Sequence, residues 1–263
     1  MKISVITPSY NQARFLETTI LSVLNQNYAE LEYIIIDGGS DDRSIEIIKK
    51  YEKHLSYWVS EKDNGQSEAI NKGFKRATGD IVGWINSDDF YAPGCFEKVV
   101  AAFEKDDTIG IIYGDNNVID ENGNFIRRYA VSNISLDRLL HGNPNVVQPG
   151  SFYKKSFLER TGLLDESLRY VMDYELWLRL LEMSQACHIP ENLASFRWHR
   201  GSKTINHRVN FCYETLSVRK KYGIRKLCWQ NRIVLYRLVR DKLALFGKCD
   251  LNNYFYLIKK LFR

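Results

Sequence analysis

The sequence predicts an α/β chain built on a mostly parallel central sheet with helices on both faces. Three observations carry that prediction. Short apolar runs rich in β-branched residues recur at 3–6, 31–36, 56–60 and 81–85. Segments with apolar residues at helical spacing fall between them, and the runs are nearly continuous in apolar side chains instead of alternating with polar ones, which is the pattern of strands buried on both faces. The first run is closed by Pro8, and residues 13–25 then place Phe15, Ile20, Val23 and Leu24 on one helical face. The second run is halted by Asp37-Gly38-Gly39-Ser40 and followed by a helix over about 44–53. The third strand is followed by a helix over 67–77, and the fourth closes the series. From 93 to 190 the order loosens into a helix over 93–103, a strand over 109–113, a hairpin signal at Glu121-Asn122-Gly123-Asn124 and a helix over 174–182.

Composition agrees with a folded chain. Of 263 residues 44% are hydrophobic and 26% charged, far from the balance of a disordered or collagen-like sequence. The five cysteines include no CxxC spacing and no pair of histidines at finger spacing, which predicts a reducing compartment and no structural zinc. No run approaches the ~18 apolar residues of a spanning helix, and the opening residues lack the pattern of a signal peptide, so a cytoplasmic location is expected.

The net charge of +5 divides unevenly. Residues 214–263 hold 13 Lys and Arg against 3 Asp and Glu, so the preceding 213 residues are net acidic. Two units follow: an α/β body over 1–213 and a basic, amphipathic helical extension over 214–263. Residues 224–246 and 254–263 interleave aromatic and aliphatic residues with Arg and Lys, which suits an anionic membrane surface and predicts peripheral attachment to the cytosolic face. No nucleic-acid reader motif is present.

In open parallel sheets ligands sit beyond the carboxyl ends of the strands. Those ends carry Thr7-Pro8-Ser9-Tyr10-Asn11, Asp37-Gly38-Gly39-Ser40-Asp41-Asp42, Glu61-Lys62-Asp63-Asn64-Gly65 and Asn86-Ser87-Asp88-Asp89. Adjacent acids on a turn repel each other unless a hard cation neutralises them, so Asp88-Asp89 points to a divalent ion.

These four segments, with Gln66-Ser67-Glu68-Ala69-Ile70-Asn71-Lys72-Gly73 and Thr78-Gly79-Asp80 between them, closely resemble the family 2 inverting glycosyltransferases of the GT-A fold. The resemblance covers residues 1 to about 115 well and 148–200 less closely. It implies a metal-dependent inverting transfer of a sugar from a nucleotide sugar, UDP-linked by preference, to an acceptor hydroxyl on a lipid-linked or surface-polysaccharide precursor. It implies that Asp37 holds the uracil while Pro8, Ser9 and Tyr10 pack the base and ribose, and that Asp63 and Lys72 line the other side of the nucleotide. Asp88 matches the acid near the ribose or the metal shell, and Asp89 the acid that binds the divalent cation, Mn2+ or Mg2+. His199, in Arg197-Trp198-His199, matches a position that completes the metal shell.

An inverting transfer also needs a carboxylate that takes the acceptor proton. Met172-Asp173-Tyr174-Glu175-Leu176-Trp177 resembles the family's base-bearing helix, with Asp173 at the base position and Glu175 as the alternative. Two rivals stand beside this reading. A sugar nucleotidylyltransferase needs a glycine-rich loop after the first strand, and residues 7–14 contain no glycine. A catalytically silent membrane-associated scaffold of the same fold would have no need of the acids found here.

Overall fold

The computed structural model describes residues 1–143, 145–224 and 231–245. The first half follows the expected order: β1 (Ile3–Ser9), α1 (Ala13–Leu24), β2 (Leu31–Asp37), α2 (Ser44–Tyr51), β3 (Tyr57–Ser60), α3 (Gln66–Arg76) and β4 (Ile81–Trp84). The second half adds β5 (Phe90–Tyr91), α4 (Cys95–Phe103), β6 (Ile109–Ile119), β7 (Phe125–Tyr129), α5 (Leu136–His141), β8 (Ser151–Lys154), α6 (Lys155–Thr161), α7 (Met172–Leu181) and β9 (Gln185–Arg197). Three helices close the described chain: α8 (Lys203–Asn206), α9 (Arg208–Lys221) and α10 (Arg232–Leu245).

The strands join one sheet in the order β3-β2-β1-β4-β8-β6-β9-β5, with β7 paired to β6. β1 to β4 are parallel, as their apolar continuity predicts. β8 returns antiparallel between β4 and β6, and β6 and β9 run parallel beside it. The period-two alternation of a strand divides the apolar residues between two cores. Ile6, Ile34, Ile36, Val82 and Trp84 face α3 and α7. Ile3, Val5, Tyr33, Ile35 and Ile81 face α1 and α4. Each fully buried side chain of this size contributes roughly 1.5–3 kcal/mol. Gly73 lets α3 lie close on β1, since a Cβ there would stand 2.5 Å from Ile6 Cγ2.

Beside β5, α5, β8 and α6, which the sequence reading does not anticipate, two elements differ from the expectation in ways that shape the site. β6 runs six residues beyond the predicted end at Tyr113, through the polar Asp115-Asn116-Asn117, because its far half is held between β7 and β9. β9 has no sequence signal of its own, since only its last third is buried and its first half mixes polar residues with Ala186, Cys187 and Ile189 in no regular alternation.

The extension does not begin as a separate element. α9 runs without interruption across residue 213, and its Arg219 is fully buried. That guanidinium donates to Tyr174 Oη of α7 (3.1 Å), to the carbonyls of Leu139 (2.7 Å) and Gly142 (2.8 Å), and to Asn231 Oδ1 (3.0 Å). Val234, Leu238 and Val239 of α10 pack on Cys212 and Leu216 of α9. Over residues 234–239 the apolar stripe assigned to a membrane is therefore spent on α9, while Tyr236 stays exposed; the side chains of 242–245 lie outside the described residues. The rest of that stripe, at 225–230 and 246–263, lies outside the described residues. Among the described residues no helix is long and apolar enough to cross a membrane.

Candidate active site

The carboxyl ends of β1 to β4 form one wall of an open cleft of about 1320 Å³. Its other wall is built by β7, residues 145–149, the first turn of α7 and the helices after β9. The loops of the first wall are laced together. Asn11, in the left-handed region at φ 52°, donates its N–H to Ser40 Oγ (2.8 Å) and accepts the N–H of Asp41 on Oδ1 (3.0 Å). Pro8, Ser9 and Tyr10 line the cleft as expected, Tyr10 standing exposed at the rim. The buried Ser9 Oγ has no partner among the described residues.

Asp37 does not reach the cleft. It is fully buried, and its carboxylate accepts the N–H groups of Gly39 (3.1 Å) and Ser40 (2.9 Å) and the hydroxyls of Ser40 (2.6 Å) and Ser60 (2.7 Å). Four donors leave it no capacity for a base. The acid on that side is Asp63, which lines the cleft and lies against Gly38. A Cβ at position 38 would stand 2.8 Å from Asp63 Oδ2, so the missing side chain makes the room. Burial raises the Asp63 carboxyl above the usual range, against the N–H of Gly65, which holds its charged form.

Lys72 is also turned away. Its ammonium is paired to Glu61 (2.9 Å) and Glu68 (3.0 Å), and it does not line the cleft.

The acid pair after β4 divides its work. Asp89 is 1% exposed; its Oδ1 accepts the backbone N–H of Arg197 (2.9 Å) and its Oδ2 accepts from Asn86 Nδ2 (3.2 Å). Burial, and then the charge of Asp88, push its carboxyl well above the ordinary range. The expectation that Asp89 binds the cation is thus corrected: its oxygens face inward and tie the turn to the end of β9. Asp88 is the acid that lines the cleft, and its Oδ2 meets His199 Nε2 at 2.9 Å. His199 Nδ1 accepts the N–H of Gly201 (3.2 Å), so in the neutral ring Nε2 carries the proton and donates to Asp88.

This pair fits a divalent ion. Asp88 Oδ2 and His199 Nε2, 2.9 Å apart, would hold it; for Nε2 to offer its lone pair the imidazole proton has to move to Nδ1, which gives up the N–H of Gly201. Carboxylate with imidazole is a donor set that Mn2+ accepts. Among the described residues no cluster of three or more His, Cys, Asp or Glu is poised for a metal, so the remaining ligands would have to come from the diphosphate and water.

Arg197 holds this turn from beneath. Its Nε donates to the carbonyl of Asp88 (2.9 Å), its Nη1 to those of Asp120 (3.3 Å) and Glu121 (3.1 Å), and its guanidinium lies 4.7 Å over the Phe15 ring.

On the second wall Asp173 sits in the first turn of α7 and lines the cleft. Burial raises its carboxyl to about 6, although the N–H of Tyr174 (2.8 Å to Oδ1) favours the charged form. Glu175 is excluded as the base by geometry, since Arg179 grips both its oxygens (2.9 and 2.7 Å).

The sequence model described as Glycosyl transferase family 2 matches residues 4–162. The chain is a family 2 glycosyltransferase. It is 30% identical over 262 residues to an uncharacterized glycosyltransferase of Rickettsia typhi, covering 94% of this chain and 80% of that protein. TarS of S. aureus, solved as residues 1–349 with UDP-GlcNAc, superposes with a TM-score of 0.70 at 17% identity, over 99% of this chain and 80% of that one. The mannosyltransferase PcManGT of Pyrobaculum calidifontis, solved with GDP-Man and Mn2+, gives 0.67 at 17% identity over 98% and 79%. The fold of this glycosyltransferase is GT-A.

Two cations of the glycosyltransferase's cleft escaped the sequence reading. Lys203, in α8, donates to Gln66 Oε1 (2.9 Å), and burial lowers its ammonium below the usual lysine range, with Arg169 nearby adding to the effect. Lys203 and the second cation, Arg169, line the same cleft as Asp63 and Asp88. Neither cation has a strand or motif signal; Lys203 meets the cleft because β9 carries the chain back across the sheet, and Arg169 stands in the segment just before α7.

Proposed function

We propose that this glycosyltransferase moves a sugar from a nucleotide diphosphate donor, UDP-linked by preference, to an acceptor hydroxyl with inversion, and that a divalent cation assists. The observation that carries the reading is that one cleft is lined both by Asp88, which is bonded to His199 behind it, and by Asp173, a carboxylate whose affinity for a proton is raised to about 6. Asp88 and His199 hold the ion, which when bound acts as a Lewis acid for the leaving diphosphate. Ser9, Tyr10 and Asp63 receive the nucleoside; the unpartnered Ser9 Oγ and the room left by Gly38 support this. Lys203 and Arg169 neutralise the diphosphate. Asp173 takes the acceptor proton as its oxygen attacks the sugar carbon, and a base with an affinity near neutrality is suited to that task.

The acceptor we propose is a lipid-linked or surface-polysaccharide precursor met at the cytosolic face of a membrane, the basic extension supplying the contact. The charge of residues 214–263 supports this, although α10 spends its apolar face on α9. Screening UDP- and GDP-sugars with Mn2+ for a melting-temperature shift, followed by release of the nucleoside diphosphate, tests the donor. Absence of a shift with every donor, or release undiminished by a chelator, would refute the corresponding part.

A further inference from the structure

The cationic residues of the cleft fall into two groups. Lys203 and Arg169 stand with Asp63 and Asp88, where the donor diphosphate would lie. A second group surrounds Tyr129 at the end of β7. Arg127 lies over the Tyr129 ring, Arg237 donates to Asn145, and these four residues line the cleft together with Asp173, whose charge also reaches the Tyr129 hydroxyl.

That corner holds more positive charge than it balances. Arg237, half-buried on α10, donates Nη1 to Asn145 Oδ1 (3.0 Å) and Nη2 to Asn143 Oδ1 (3.3 Å), two neutral amides that orient the guanidinium without cancelling it. Arg127 is exposed and touches only the Tyr129 ring, 5.6 Å from its centroid. Among the described residues neither has a carboxylate within ion-pair distance, whereas Arg240, on the same wall, is already matched by Asp241 at 2.7 Å. Guanidinium groups held by neutral partners beside a base are suited to oxyanions, which they grip with paired N–H donors.

We propose that Arg127 and Arg237 form an anion subsite for the acceptor, so that the group transferred to is a hydroxyl carried by a phosphate-bearing molecule. The inference rests on Asp173 being the base, because it is the nearness of the two arginines to Asp173 that assigns them to the acceptor. The phosphate belongs either to a lipid carrier or to the glycan itself, and Asn143 and Asn145 act as positioning residues for Arg237.

The test is calorimetric titration of the full chain with glucose 6-phosphate and with n-decyl phosphate, each at saturating UDP and Mn2+. At least one probe should bind, with affinity falling about tenfold in Arg127→Gln and in Arg237→Gln and weakening as salt rises, while UDP titrations of the same samples keep their Kd. Binding of both probes identifies the phosphate itself as the recognised group; binding of n-decyl phosphate alone identifies a lipid phosphate. The proposal is overturned if neither probe binds, if all three proteins bind the probes alike, or if UDP displaces them, which would put the anion on the donor wall. Should Arg237→Gln fail to fold, Arg127→Gln decides alone, since its side chain has no buried contact. A chain that binds a probe in this way but never UDP would refute the donor reading and leave the subsite standing.

Discussion

Replacing Asp173 by Asn should make the enzyme more stable and nearly inactive. Its carboxyl titrates at about 6 in the fold against an ordinary value of 3.8, and burial is the cause. A gap of roughly 2 units is worth about 3 kcal/mol of preference for the protonated form. The native state therefore holds this proton more tightly than the unfolded chain, so the stability it confers is complete below about pH 4, declines through pH 6, and is absent above. Asn keeps an oxygen for the N–H of Tyr174, which lies 2.8 Å from Asp173 Oδ1, and carries no charge to desolvate. The variant should match the wild type near pH 4 and exceed it by up to about 3 kcal/mol at pH 8, or roughly 5 °C in melting temperature for a domain of this size. Transfer should fall by about 10²–10⁴-fold, and the wild-type rate should show an acid limb near pH 6. Melting curves from pH 4.5 to 8.5 beside a transfer assay measure both effects. A stability difference that does not grow with pH, or near-normal transfer, would refute the reasoning.

The remaining predictions concern the first wall. Asp88→Ala should abolish Mn2+-dependent UDP binding with little change in melting temperature, whereas Asp89→Asn should keep that binding and lose about 1–3 kcal/mol, because the new amide faces the donor of Asn86; calorimetry and thermal melts separate the two. Gly38→Ala should raise the Kd for UDP about tenfold by displacing Asp63, measured by titration with UDP. Lys203→Gln should raise KM for the donor at least tenfold, while Lys72→Ala should change it less than twofold because its ion pairs are largely solvated.

Much of the fold was legible because its signals are local. The strands 3–6, 31–36 and 81–85 needed no partner to be recognised, since both faces of the sheet are covered and nearly every residue in them is apolar. β9 carries no such pattern, so only the family resemblance brought His199 to the metal, and the return of Lys203 to the cleft was out of reach. The site was legible as loops and partly misread as atoms. Asp37 and Asp63 both stand at strand ends, and so do Asp88 and Asp89; what separates them is where their oxygens point, which depends on donors 2 to 108 residues away. Asp173 was named through the resemblance of residues 172–177 to the family's base-bearing helix, and it does line the cleft, but its raised proton affinity comes from burial that no spacing encodes.

Arg219 bears on how this chain can be handled as material. A truncation after residue 213 would cut α9 midway and leave Tyr174 Oη and the carbonyls of Leu139 and Gly142 without the guanidinium that gathers them. Tyr174 is the neighbour of Asp173, so the helix that carries the proposed base would lose its anchor at the same stroke. The C-terminal helices are consequently poor candidates for swapping between relatives as an interchangeable cassette. A graft intended to redirect the enzyme to another acceptor would have to carry Arg219 and its three acceptors together.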